Sequence, residues 1–289
     1  MKKTIAGSAA AFTVLVLALF WAQKPWEWRG FLGGVRKEEF VCKAGSYTTE
    51  IISIDPLLIY INNFVDEGEI RDLIAEGCVL FLSSYCPSPN SSKQRLTEVS
   101  SRAPNLEKSE VYLHGSKRPS EERTSSSAGL SPSSPLVQCI LSRAQSFMGS
   151  FFPPGGDFGT PQLVHYEKGE KFDVHHDWYE DPQPLRGKQG RWFNRVASFF
   201  VYLEGDCRGG ETWFPYIDVK GEGKGKWEED KQEGGTKFLP RRGNALFWVN
   251  LHGNGTGDER TVHAGLPLLE GRKTAMNIWP RKFYGRGVR

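Results

Sequence analysis

The stretch Tyr166–Asp177 reads YEKGEKFDVHHD and ends in His175-His176-Asp177. Residues two apart on a β-strand point to the same face. His175 and Asp177 therefore reach one point together, and His176 looks the other way. An imidazole and a carboxylate converging on one point are two-thirds of a facial triad. With a second His they hold Fe(II) on one side and leave the other side open. The rest of the chain has to supply that His and a site for what fills the open side.

Downstream and upstream of this stretch, short apolar runs alternate with turns. Gln162–Tyr166, Phe172–Trp178, Arg195–Leu203 (RVASFFVYL), the segment after the Gly209-Gly210 turn, Gly243–Asn250, Thr261–His263 and Lys273–Trp279 read as strands, with a turn at Gly169. Such spacing predicts an antiparallel barrel or jelly roll. Lys220–Gly235, rich in Gly and charge, reads as a mobile surface loop, and Ser116–Pro135 as a solvated loop. Before them, Ile51–Phe64 is β-rich and broken at Pro56. Asp66-Glu67-Gly68-Glu69 opens a helix carrying Ile70, Leu73 and Ile74 to about Glu76. A second helix spans Leu136–Phe152, with Leu136, Ile140, Leu141, Ala144 and Phe147 on one side, and stops at Pro153-Pro154-Gly155-Gly156. The expected class is mainly β with flanking helices: a double-stranded β-helix (jelly-roll) core with N-terminal helices packed outside.

The 289 residues suit one sizeable catalytic domain plus appendages. Gly 32, Pro 17 and Trp 9 favour turns and strands over a helix bundle. A net charge of +3 without a long basic run names no nucleic-acid partner. Cys42, Cys78, Cys86, Cys139 and Cys207 form no C-x-x-C, which argues against zinc. Cys78 and Cys86 are spaced for a disulfide in an oxidising compartment or stand as two buried thiols.

Met1-Lys2-Lys3 precedes an apolar run from Ile5 to Ala22, followed by Trp21, Trp26 and Trp28 as an interfacial belt. Residues 1–23 are thus expected to be a membrane anchor, with a cleaved signal segment as the alternative. Residues 24–39 read as a linker and 40–289 as the catalytic domain, its core at about 160–282. Sequons at Asn90 and Asn254 suit a lumenal, glycosylated body. The expected location is the endoplasmic reticulum membrane, single-pass with a lumenal domain, or secretion after cleavage.

His114, His165, His252 and His263 compete to be the second His. His252, beside Gly253-Asn254-Gly255, has the look of an exposed turn residue. His263 lies between strand-like runs and is followed by Lys273 on the next apolar segment. A buried ammonium calls for an anionic partner, because an unpaired one is costly. A dicarboxylate chelating the metal at one end meets that need at the other.

Taken in order, these elements resemble the prolyl 4-hydroxylase branch of the Fe(II)- and 2-oxoglutarate-dependent dioxygenases, from Ile54 to Trp279. The resemblance is carried by Asp55-Pro56 to Ile74, Arg123-Thr124-Ser125, Tyr166-x-x-Gly169 leading to His175-x-Asp177, Gly209-Gly210-Glu211-Thr212-x-Phe214-Pro215, Pro240-x-x-Gly243-x-Ala245-Leu246-Phe247, His263, Gly271-x-Lys273 and Trp279. It implies His175, Asp177 and His263 as iron ligands, and Lys273 as the partner of the distal carboxylate of 2-oxoglutarate. It places Tyr166 and Thr212 beside that co-substrate, and Arg123 and Trp279 toward the substrate. For Trp279 core packing is the alternative, for Tyr166 a satisfied buried phenol, and Asp173 reads as a solvated strand carboxylate. The implied reaction consumes O2 and 2-oxoglutarate, releases succinate and CO2, and hydroxylates the substrate. Ascorbate keeps the iron reduced, and no side chain need be a general base. The implied substrate is peptidyl proline. A small-molecule metabolite is the second reading, and a barrel that binds without turnover the third.

Overall fold

The structure is a computed structural model that describes residues 40–80, 107–108, 110–113, 116–119, 123–152, 156–185, 190–220 and 223–284, with the side chains of 78–80 and of the segments between 107 and 119 left aside. The expected anchor (1–23), the linker, Cys86, Asn90 and His114 lie outside the described residues. No helix among those described is long and apolar enough to cross a membrane. The chain divides into two units, 1–41 and 42–289, and every strand and helix among the described residues belongs to the second.

Strands β1 (Thr48–Ile54) and β2 (Leu57–Asn62) pair antiparallel through a cis Asp55-Pro56 bend. Helix α1 (Glu67–Leu80) opens on a capping box. The Glu69 amide donates to the Asp66 carboxylate, and the Asp66 amide to that of Glu69. The helix runs past Glu76, the end expected from its apolar spacing, by one more turn. Then come β3 (Glu107–Lys108), β4 (Glu110–Leu113), β5 (Ser116–Pro119) and β6 (Ser126–Gly129). Two of these strands fall in the stretch expected to be a solvated loop. β6 pairs with β7 (Gln162–Tyr166), where short side chains suit the sheet margin and Ser125 is buried. Helix α2 (Pro135–Met148) has Ser134 as N-cap and Pro135 in its first turn, and a 3-10 turn follows at Gly149–Phe151.

The remaining strands are β8 (Phe172–His175), β9 (Gln183–Pro184), β10 (Trp192–Arg195), β11 (Ala197–Glu204), β12 (Cys207–Gly209), β13 (Thr212–Phe214), β14 (Trp227–Glu229), β15 (Thr236–Phe238), β16 (Ala245–Val249), β17 (His263–Gly265), β18 (Leu268–Gly271), β19 (Lys273–Ile278) and β20 (Arg281–Tyr284). The run expected as one strand from Arg195 is two. β10 pairs with β20, β11 pairs with β16 and β19, and Val196 is the break. The segment expected as a mobile loop contains β14, paired to β15. The Asp230 carboxylate ties that hairpin's turn by accepting from the amides of Gln232 and Glu233 and pairing with Lys237, while Trp227 packs on Tyr60 and Phe238.

Two sheets result. The larger has the order β1-β2-β16-β11-β19-β7-β6-β3, and the smaller β14-β15-β13-β17-β8. Strands β7, β8, β11, β13, β15, β16, β17 and β19 go large, small, large, small, small, large, small, large, which is the winding of a jelly roll. β11 decides the packing. Its apolar run is buried on both faces. Phe199 and Val201 face out to Ile70 and Leu73 of α1 and to Leu136, Ile140 and Ala144 of α2. Phe200 and Tyr202 face in with Tyr166, Trp248 and Ala275, toward Phe214 and Phe238 of the small sheet. Truncating a ring such as Phe199 to Ala costs about 3–5 kcal/mol.

Candidate metal centre and co-substrate pocket

Register builds the centre. β17 pairs with β8 so that His263 stands opposite His175, with ring centroids 4.4 Å apart. Asp177 follows two residues after His175 and brings its carboxylate to the same point. One ligand atom from each of the three lies within 4.8 Å of the others. His176 turns away and stacks on Trp178, 3.7 Å between centroids.

The donor set fits an Fe(II) ion. Nδ1 of His175 lies 2.8 Å from the Asp173 carbonyl, and Nδ1 of His263 lies 3.0 Å from that of Thr261. Those carbonyls take the ring N–H and leave each Nε2 lone pair for a metal. Burial, and for His175 also the neighbouring His263, lowers both imidazole pKa values and keeps the rings neutral. Burial alone would raise the pKa of Asp177. Its neighbours outweigh that, among them the Arg195 guanidinium and the hydrogen bond from Ser198, so the carboxyl stays ionised. Oδ2 of Asp177 accepts from Ser198 Oγ at 2.6 Å and Trp279 Nε1 at 3.0 Å, and Asn250 Nδ2 donates to Ser198 at 2.9 Å. Phe172 stacks on His175 at 3.5 Å, and Arg195 covers Trp279 at 3.6 Å. Two neutral imidazoles and one carboxylate on an open face form the facial arrangement of a non-haem iron site.

Lys273 begins β19 directly opposite Tyr166 of β7. It is 1% exposed. Its Nζ donates to the Gly210 carbonyl at 2.6 Å and lies 5.0, 5.2 and 5.9 Å from the ring centroids of Tyr166, Phe200 and Tyr202. Among the described residues no carboxylate pairs with it, and burial pushes its pKa down to about 8. Gly210 has φ +73, and an added Cβ would meet Leu268 Cδ1 at 2.7 Å, so glycine is needed there. The Thr212 hydroxyl, also buried, accepts from Tyr202 at 2.8 Å. Tyr166 bonds to Ser125, and burial raises the pKa of its phenol.

Arg123 lies over Phe172, 4.6 Å from the ring, and reaches Ser125 and Gln162 at 3.4 Å. Trp279 donates from Nε1 to the Asp177 carboxylate itself. His165 faces the outer side of the large sheet and bonds Thr274 at 2.8 Å. His252 is an exposed turn residue 3.6 Å from Asp258, and Asp173 is half-exposed and paired with Lys171. The residues that sequence reasoning missed are Ser198, Asn250, Arg195 and Tyr202. Alternation within β11 is the one signal that could have singled out Ser198.

A jelly roll that sets two imidazoles and one carboxylate around an open point is the scaffold of a mononuclear iron oxygenase. Comparison with known proteins agrees: the model of the 2OG-Fe(II) oxygenase superfamily matches residues 161–281, the part of the chain that holds the triad and Lys273. Among its relatives is the probable prolyl 4-hydroxylase 6 of Arabidopsis thaliana, 32% identical over 185 residues, which are 60% of this chain and 60% of the relative. The probable prolyl 4-hydroxylase 8 of the same plant is 28% identical over 238 residues, covering 81% of this chain and 72% of the relative. The chain thus spans less than two-thirds of the first of them. A solved structure of the viral collagen prolyl hydroxylase from Paramecium Bursaria Chlorella virus-1 is similar at a TM-score of 0.49 and 20% identity, over 84% of this chain and 99% of that one.

Proposed function

We propose that the chain is an Fe(II)- and 2-oxoglutarate-dependent hydroxylase that 4-hydroxylates peptidyl proline. The observation that carries this reading is Lys273, a fully buried cation with no carboxylate of the described residues to pair with, in the barrel that also holds the triad. A buried ammonium needs a counter-charge, and the distal carboxylate of 2-oxoglutarate supplies it.

His175, Asp177 and His263 hold the iron. Bound iron supplies the oxidation, in which O2 converts 2-oxoglutarate to succinate and CO2 and one oxygen enters the substrate. Thr212 receives its hydrogen bond from Tyr202, so its own proton is free for the distal carboxylate. Tyr166 closes the same end, and Phe200, Tyr202 and Trp248 keep water out. Arg123 stands on the substrate side, and ascorbate maintains the reduced metal. The preference for proline rests on the prolyl 4-hydroxylase names of the plant relatives.

The Cys42–Cys139 disulfide supports an oxidising compartment, and Asn254 sits exposed in a turn. Both suit a lumenal domain held in the endoplasmic reticulum membrane by residues 1–23, or a secreted one after their removal.

The test supplies Fe(II), 2-oxoglutarate and ascorbate with proline-rich peptides beside small metabolites. A gain of one oxygen on peptidyl proline with matching succinate is expected. Oxygen gained only on a metabolite would make the protein a tailoring oxygenase. No succinate under any condition would make it a binding module.

A further inference from the structure

Resting on that reading, we infer that Asn277 is a binding residue for the 2-oxo-acid end of the co-substrate. Lys273, Ala275 and Asn277 alternate with Thr274, Met276 and Ile278 along β19. Ala275 joins the inward cluster of Tyr166, Phe200 and Tyr202, whereas Met276 and Ile278 join the outward one. Asn277 therefore shares the inward face with Lys273, and Trp279, which reaches Asp177, follows two residues later. The carboxamide stands between the cation proposed for one end of the ligand and the residues proposed to hold the metal at the other. Between them Ala275 offers only a methyl group, leaving room for a carbon chain.

The Asn277 side chain is 8% exposed, yet nothing among the described residues hydrogen-bonds to it. Its neighbours across the strands cannot do so. Phe200 is apolar, and Gln162 spends its oxygen on Arg123 and its nitrogen on Ser127. The amide is not sealed within the protein, since neither of its polar atoms is among the buried ones that lack a partner, and from the inward face of β19 it is open to a molecule that enters the barrel. This amide is left for a ligand. A carboxamide N–H donates to a carboxylate or keto oxygen, and the metal-chelating end of a 2-oxo acid carries both.

Two acids separate the ends. Both 2-oxoglutarate and 2-oxopentanoate present the 2-oxo-acid end, and only the first has the distal carboxylate. They are titrated calorimetrically into Mn(II)-loaded protein carrying Asn277→Leu, which keeps the shape of the side chain and removes its amide. Asn277→Leu is expected to weaken both acids by the same factor, about tenfold, while Lys273→Met weakens only 2-oxoglutarate. Unchanged binding of both acids, or weakening of 2-oxoglutarate alone, would overturn the assignment. Mn(II) affinity and melting temperature report the integrity of Asn277→Leu, and Asn277→Ala carries the same comparison if that variant fails to fold. Failure of wild-type protein to bind 2-oxoglutarate at all would instead overturn the reading on which the inference rests.

Discussion

Two Lys and Arg cations are buried among the described residues, and they are partnered in opposite ways. Arg143 of α2 grips Glu69 with two nitrogens at 2.7 and 2.8 Å, and donates to the carbonyls of Phe64 and Lys43 at 2.7 and 3.1 Å. Only its Nε lacks a partner. Lys273 has one carbonyl and three aromatic faces. The fold has closed the first charge with its own carboxylate, beside the Cys42–Cys139 bridge that ties the chain's lead-in to α2. For the second no carboxylate is supplied by the described residues, and the proposed co-substrate would bring one. Burial alone does not separate a structural charge from a functional one; the identity of the partner does.

The sharpest break of this comparison is to replace each cation with methionine. Arg143→Met strands Glu69 in the interior and should cost about 3–5 kcal/mol of stability, read by denaturant unfolding, with 2-oxoglutarate affinity in the folded fraction unchanged. Lys273→Met should do the reverse. It should weaken 2-oxoglutarate about a hundredfold or more, as loss of one partner of a buried charge pair does, and leave the melting temperature the same or higher. An equal stability loss in both variants would erase the distinction.

A pH titration sharpens it further. The Lys273 pKa, about 8, is depressed from the unfolded lysine value of about 10.4. The ligand-free fold therefore gains stability from this group as pH rises through that interval. The ligand needs the ammonium form, so its affinity should be flat below about pH 8 and fall about tenfold per unit above it. Lys273→Met should abolish that slope, and a slope that persists in it would point to another group. The smallest expected effect is at the metal end. Ser198→Ala removes one donor from Asp177 and should weaken Fe(II) binding about tenfold without moving the melting temperature much. Unchanged Fe(II) affinity would show that Trp279 and Arg195 hold the carboxylate without Ser198.

The pairing of His175 with Asp177 was legible as a two-residue spacing, although β8 ends at His175 and Asp177 lies in the bend just beyond it. The capping box at Asp66 and Glu69 was equally local. Lys273 stood out because a charge is costly in an apolar strand. What was hidden depends on register. Ser198 is one small residue in RVASFFVYL, and only the pairing of β11 with β16, and Asn250 just beyond, gives it a role. The sheet switch at Val196 is likewise invisible in a continuous apolar run. The Gly- and charge-rich segment after Lys220 hid β14 because its strand is held by the Asp230 turn and by Trp227, not by an apolar pattern. Cys42 and Cys139 are 97 residues apart, and no spacing rule reaches that far.

The most direct measurement is an anaerobic titration of 2-oxoglutarate into the protein with Fe(II), without it, and in Lys273→Met. Tight binding that requires both the metal and Lys273 is the predicted result, since one ligand bridges the triad and the buried cation. Binding that is indifferent to Lys273, or equally tight without metal, would contradict it.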